Sequence, residues 1–84
     1  MGPEGNIELY RLIEAWNPLK SDGDMDYDAE IYDTVNALYD NPSRGEAAVK
    51  IQNIFTFSFL IEIPVEDIYP MVDKAHHIIE IYKS

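Results

Sequence analysis

The densest group of side chains that could do chemistry lies between residues 22 and 33. Carboxylates occupy positions one, three, five, seven, nine and twelve of this twelve-residue window, as in the calcium loop of an EF-hand. Position six is Tyr27, where such a loop needs glycine, and position twelve is Asp33, where a longer bidentate Glu belongs. The sequence therefore argues against an EF-hand. A looser divalent-cation site is left as an alternative, with these candidate ligands: Asp22, Asp24 and Asp26.

The two histidines, His76 and His77, are the other side chains that could bind a metal. Asp73 precedes His77 by four residues, so the two would share one face of a helix and could hold a transition metal. A second helix would have to complete the site, and the sequence has no Glu-x-x-His or His-x-x-x-His pattern to do so. The sequence therefore predicts that His77 is an exposed partner of Asp73. His76 is expected to pack at the core edge, beside Tyr69 or Val72.

Catalysis needs groups that this sequence does not supply. The chain has no cysteine, which excludes disulfides, a thiolate nucleophile and Cys-ligated zinc or iron–sulfur sites. It also lacks a phosphate-binding glycine loop and a nucleophile–base pair at a recognisable spacing. The sequence therefore predicts that the protein is not an enzyme, with no catalytic residue and no cofactor.

The charge balance limits the classes of partner. Sixteen acidic and six basic side chains give a net charge of −10, and the resulting field repels nucleic acids and anionic membrane surfaces. Basic proteins and divalent cations remain as partners. The sequence has neither a signal peptide nor an apolar run long enough to span a membrane. We therefore expect a cytoplasmic protein.

Spacing of apolar residues predicts the first helix over about residues 6–16. Asn6 is a good N-cap, and Pro18 ends the helix because proline disfavours helical geometry in the residue before it. Residues 1–5 are expected to be disordered. A polar loop follows this helix.

The third helix is predicted over about residues 43–62, at the centre of the fold. Ser43 and Glu46 have the spacing of a capping box, and Pro64 follows the helix. Its phenylalanines also alternate as in a strand, but a strand without a partner would leave its backbone groups unpaired. Because part of this helix is apolar almost all round, a homodimer is an open alternative. Three side chains are left open between core and interface: Phe57, Phe59 and Leu60.

The fourth helix is predicted over about residues 65–83, with Pro64 suited to its start and a break or kink near Pro70. Together with a second helix over about 27–39, this gives an all-α fold. We expect a compact four-helix bundle that forms a single domain over residues 1–84.

Four short motifs resemble the YugE-like proteins, a family of small Bacillus proteins classed as a domain of unknown function. The motifs are Trp16-Asn17-Pro18-Leu19, Tyr27-Asp28-Ala29-Glu30-Ile31, Ile51-Gln52-Asn53-Ile54-Phe55 and Ile63-Pro64. The resemblance implies an all-α fold and a bacterial cytoplasmic setting. It carries no catalytic residue over to this chain.

The second helix provides the predicted contact surface. No basic residue occurs between Lys20 and Arg44, so its polar side is uniformly negative, and aromatic side chains lie beside the acids. Such a surface could meet a basic protein. We therefore expect a small regulatory or protein-interaction module. Its candidate contact residues are Asp26, Glu30, Tyr32, Asp33 and Tyr39.

Overall fold

The computed structural model describes residues 3–16 and 28–83, which form four α-helices. The helices are α1 (Pro3–Trp16), α2 (Asp28–Asp40), α3 (Arg44–Phe59) and α4 (Val65–Lys83). The described residues contain no strand, so the predicted all-α, four-helix domain is confirmed and the strand alternative for α3 is wrong. None of the four helices is both long and apolar enough to cross a membrane.

The helices follow one another around the bundle, so that α1 packs on α2 and α4, and α3 also packs on α2 and α4. Across the diagonals, α2 approaches α4, whereas the described parts of α1 and α3 make no close backbone contact. The prediction that α3 lies at the centre is therefore wrong. One side of α3 faces the core and the opposite side faces solvent.

All four helices contribute to a single apolar core. Phe55 of α3 is fully buried, and its ring meets Trp16 of α1 edge-on at 5.9 Å and stacks on Phe59 at 5.9 Å. Among the residues that the structure describes, Thr34 is the buried polar side chain, and its hydroxyl donates to the Glu30 carbonyl at 2.7 Å. The other large, fully buried side chains are Leu9, Ile13, Leu38, Ile51, Ile68 and Val72.

The start of α1 differs from the prediction. The helix begins at Pro3, not at Asn6, so residues 3–5 belong to its first turn and Gly5 is buried. Proline suits the first helical position because its missing N–H would have no partner there and its φ is already helical. Asn6 therefore lies inside the helix, where its Oδ1 accepts a hydrogen bond from the Tyr39 hydroxyl at 3.0 Å.

The two ends of α3 also differ in part from the prediction. Ser43 is the N-cap residue as predicted, but its side chain makes no capping hydrogen bond, so the expected capping box does not form. At the other end the helix stops at Phe59, three residues before the predicted end, because Leu60 adopts a left-handed conformation. Ile61 and Glu62 consequently lie in the link to α4.

Helix α4 is continuous from Val65 to Lys83 and contains Pro70, so the helix is not broken there, and the alternative of a kink near Pro70 stays a prediction. Pro70 is exposed and lies in the second turn, where its missing N–H deprives only the carbonyl of Glu66 of a helical partner. The N-terminal turn tolerates this loss because that carbonyl can turn toward water.

Candidate functional site

The exposed side of α2 carries most of the predicted contact residues that the structure describes. Tyr32 is 60% exposed, and Asp33 and Tyr39 are also exposed. Asp40, seven residues after Asp33, lies on the same side and is exposed as well. We call Tyr32, Asp33, Tyr39 and Asp40 the acidic α2 face. Of the remaining candidates, Glu30 is half-buried and Asp26 lies outside the described residues.

Both tyrosines of this face contact side chains of α1. The Tyr32 ring lies 5.6 Å from that of Tyr10 at an interplanar angle of 52°, and the Tyr39 hydroxyl donates to Asn6. Burial raises the pKa of the Tyr39 hydroxyl. Contacts of this kind fix the orientation of the rings, which lowers the entropy cost of using them in a binding surface.

Tyr10 connects α1 to the start of α2 by donating its hydroxyl proton to the Asp28 carboxylate. This hydrogen bond, followed by desolvation and the nearby negative charges, raises the pKa of Tyr10 from 10.0 to about 12. The raised pKa means that the folded state favours the neutral hydroxyl. Its contribution to stability is therefore complete below pH about 10 and is lost as the pH rises toward about 12.

We expect one tyrosine to resist ionisation at alkaline pH. In a tyrosinate absorbance titration the last transition should be absent from Tyr10→Phe, and Asp28→Asn should move it to lower pH, because the acceptor that favours the neutral hydroxyl is weakened. Tyr69→Phe, on α4, is the control and should leave the last transition in place. An unchanged last transition in Tyr10→Phe would contradict the assignment.

A groove runs between α2 and α3 beside the acidic α2 face. Asp33 and Asp40 line it from α2, and Lys50 and Ile54 line it from α3. Phe57 comes three residues after Ile54 and seven after Lys50, so it continues the same side of α3. The groove therefore has two carboxylates on its α2 wall and Lys50 and Ile54 on its α3 wall, and Phe57 follows on the same side of α3.

The end of α3 exposes large apolar side chains. Phe57 is 90% exposed, Leu60 is 89% exposed and Ile61 is 45% exposed. Phe59 is different, because it packs against the core through Phe55. The structure thus answers the open question about this helix: Phe59 belongs to the edge of the core, whereas Phe57 and Leu60 are on the surface. We call Phe57, Leu60 and Ile61 the α3 apolar patch.

Leu60 is in a left-handed conformation, with φ 57° and ψ 33°, and it is the only residue other than glycine with a positive φ in the part of the chain that the structure describes. Its N–H caps α3 by donating to the Thr56 carbonyl at 2.8 Å. Glycine is the usual residue at this position because a side chain is strained there. Since Leu60 is almost fully exposed, its side chain offsets little of this strain through packing.

Replacing Leu60 by glycine should therefore stabilise the protein. We expect the free energy of unfolding to rise by about 1 kcal/mol, because glycine adopts the left-handed conformation without strain. Urea denaturation measures the change. Asn53→Gly, at an exposed position inside α3, is the control and should lower the free energy of unfolding by a few tenths of a kcal/mol, because glycine is a slightly poorer helix former than asparagine. A loss of stability in Leu60→Gly would show that the leucine side chain supports the fold.

The metal-site candidates are not brought together among the described residues. The Asp73 carboxylate pairs with the Arg44 guanidinium at 3.0 Å, so the predicted pairing with His77 is replaced by one between α4 and α3. Arg44 also lies 4.3 Å from the centre of the Tyr69 ring. His77 is exposed, as predicted.

His76 is half-buried, and its Nε2 lies 3.1 Å from the Asn41 carbonyl oxygen. Within residues 3–16 and 28–83, no group of three or more histidine or carboxylate side chains is placed to hold a metal ion. The remaining metal candidates lie outside the described residues: Asp22, Asp24 and Asp26.

The family model described as "Domain of unknown function (DUF1871)" matches residues 8–84. The chain belongs to the DUF1871 family. A curated relative, "Uncharacterized protein YugE" of Bacillus subtilis (strain 168), is 36% identical over 58 residues, which cover 69% of this chain and 66% of YugE. The alignment thus spans slightly less than two thirds of that relative. The resemblance inferred from the four motifs is confirmed.

The fold of this DUF1871 chain is also similar to a solved structure, the "Crystal Structure of APC36109 from Bacillus stearothermophilus". The TM-score is 0.87, and the match covers 96% of this chain and 99% of the other at 26% identity. The similarity in fold therefore extends over nearly the whole length of both chains.

Two residues of the site were missed by sequence reasoning: Tyr10 and Lys50. Asp40 was not among the candidate contact residues, although it follows Asp33 by two helical turns on the acidic side of α2. No signal in the sequence places Lys50 opposite these acids or Tyr10 against Tyr32, since both contacts depend on how the helices pack.

Proposed function

We propose that this DUF1871 chain is a bacterial cytoplasmic protein-interaction module without catalytic activity, and that it binds a basic protein through the acidic α2 face. The observation that carries the proposal is the exposure of Tyr32 beside Asp33 and Asp40 on a helix with no basic residue. Such a face combines an aromatic anchor with carboxylates that attract a positive partner.

Charge supports the choice of partner. The chain has a net charge of −10, which steers basic proteins toward it and keeps acidic surfaces away. Lys50 is the basic side chain lining the groove beside the acidic α2 face, so the face keeps an excess of negative charge.

The packing of Tyr32 supports its role as an anchor. Tyrosine buries a large area while losing only two side-chain torsions, and it is enriched among the residues that dominate binding energies. Here the ring is held at one edge by Tyr10 while more than half of its surface stays exposed. A partner would therefore meet a ring that is already oriented.

A quantitative pull-down from the native host tests the proposal. The bait is the wild-type protein or the double variant Asp33→Asn with Asp40→Asn, and bound proteins are quantified at low and at high salt. We expect a basic protein to be recovered by the wild type at low salt, to be lost at high salt and to be depleted from the double variant.

A matched double variant, Glu8→Gln with Glu66→Gln, is the control. It changes the net charge by the same amount at exposed sites on α1 and α4. Equal depletion from both double variants would show that net charge alone retains the protein, and unchanged recovery by the Asp33 and Asp40 variant would overturn the proposal.

The rival proposal from the sequence is a divalent-cation site built on the acidic run between residues 22 and 33. Calorimetry with calcium and with magnesium separates the two proposals. Our proposal predicts no binding heat and no change in melting temperature at millimolar cation, whereas saturable heat would favour the cation site.

A further inference from the structure

The α3 apolar patch lies at the end of a stretch of sequence that has no charged side chain. Between Lys50 and Glu62 the sequence contains no acidic or basic residue, although about a quarter of the chain is charged. Phe57 and Leu60 project almost completely into solvent at the end of this stretch. Large exposed apolar groups next to one another mark interaction surfaces.

The patch is continuous with the charged groove beside α2. Ile54 lines that groove together with Asp33 and Asp40, and Phe57 follows Ile54 on the same side of α3. A ligand lying along the groove would therefore meet Asp33 and Asp40 on one edge, and Lys50 followed by the apolar side chains of α3 on the other.

The backbone at Leu60 provides an independent observation. A leucine in the left-handed conformation is strained, and its nearly complete exposure means that the core gains little from the side chain. Backbone strain that persists at a residue is a feature of functional sites. It points to an apolar contact that Leu60 makes with another molecule.

We propose that the occupant of this surface is a basic amphipathic helix of the partner protein, with its apolar side on the α3 apolar patch and its basic side chains toward Asp33 and Asp40. Helices of this kind dock in grooves through apolar residues spaced three or four apart. The inference rests on the proposed function, because it specifies which part of a basic partner is bound.

Charge complementarity decides between this occupant and a second copy of the chain. A second copy would bring another net charge of −10 against a patch whose neighbouring groove already holds the two carboxylates of Asp33 and Asp40 and a single basic side chain, Lys50. Like charges at an interface are unfavourable, whereas lysine and arginine side chains would meet these carboxylates favourably.

The test uses two fluorescent peptides of roughly 18 residues, or five helical turns. Both consist of leucine and lysine in the same proportions. In the first the leucines recur at helical spacing and form one apolar side, and in the second the order is scrambled so that no apolar side forms. We expect the first peptide to bind wild-type protein about tenfold more tightly than the second.

Variants then locate the apolar contact. Phe57→Ser together with Leu60→Ser should remove the tenfold preference while leaving the weak binding of the scrambled peptide unchanged. Ile81→Ser is the matched control, since it removes an apolar side chain that is 56% exposed on α4, and it should keep the preference. Circular dichroism confirms that each variant is folded.

Each outcome has a distinct meaning. Equal binding of the two peptides, with both weakened in Asp33→Asn with Asp40→Asn, would overturn the docking of a helix but leave the proposed function standing. Binding that none of these variants alters would overturn both. Light scattering that shows a dimer lost in Phe57→Ser with Leu60→Ser would identify a second copy as the occupant and would overturn the inference.

Discussion

Replacing Phe55 by alanine should lower the free energy of unfolding by about 3–5 kcal/mol. Phe55 is fully buried, and its ring contacts Trp16 and Phe59 at centroid distances of 5.9 Å each. The substitution removes this apolar area and leaves a cavity between α1 and α3. A domain of this size has a total stability of roughly 4–13 kcal/mol, so the loss is a large part of it.

Urea denaturation followed by circular dichroism measures the change. Phe55→Leu is the second variant, because it leaves a smaller cavity and should remain folded if Phe55→Ala does not. Phe57→Ala is the control two residues away, and we expect its stability to change by less than about 0.5 kcal/mol, since the ring is exposed. Similar losses from Phe55→Ala and Phe57→Ala would contradict the described packing of α3.

Reversing the charge of Asp33 and Asp40 to lysine should weaken binding of the amphipathic leucine–lysine peptide by roughly thirtyfold at low salt. Two carboxylates that attract the peptide would be replaced by two ammonium groups that repel it, and each change of charge near an interface contributes a few tenths to about one kcal/mol. Both side chains are exposed, so the fold should be retained.

Fluorescence anisotropy over a range of salt concentrations measures this effect. The matched control is Glu8→Lys with Glu66→Lys, which gives the same net charge while leaving the acidic α2 face intact. The control should lose only a few fold in affinity, and the difference between the variants should shrink as salt screens the charges. Equal losses in the two double variants would show that the position of the acids is irrelevant.

Helical periodicity was sufficient to predict the number and order of the helices. The apolar stripes, Pro64 and the N-cap position of Ser43 are local signals, and the structure agrees with them. The start of α1 was missed because Asn6 and Pro3 are both good local signals for a helix start, and the sequence offered no ground for preferring Pro3.

The end of α3 could not be predicted from local signals. A left-handed residue that ends a helix is usually glycine, and here it is Leu60. The apolar spacing therefore predicted a helix as far as Glu62. Because the position of the helix end was not known, the sequence did not show which of Phe57 and Phe59 reaches the core.

Contacts between helices could not be predicted from the sequence either. Asp73 was expected to pair with His77 one turn away, but it pairs with Arg44 of a neighbouring helix. A guanidinium is always charged and can bind a carboxylate through several donors, so a tertiary partner replaced the local one. The pairing of Tyr32 with Tyr10 is of the same kind.

Photocrosslinking in the native host tests the docking of a basic helix most directly, with a benzophenone amino acid at position 57 and, as the control, at position 81. We expect position 57 to crosslink to a basic amphipathic helix of another protein. Asp33→Asn with Asp40→Asn should abolish this product, and position 81 should not form it. Crosslinks at position 57 to a second copy of this chain, or the same products from both positions, would contradict the docking of a basic helix at the α3 apolar patch.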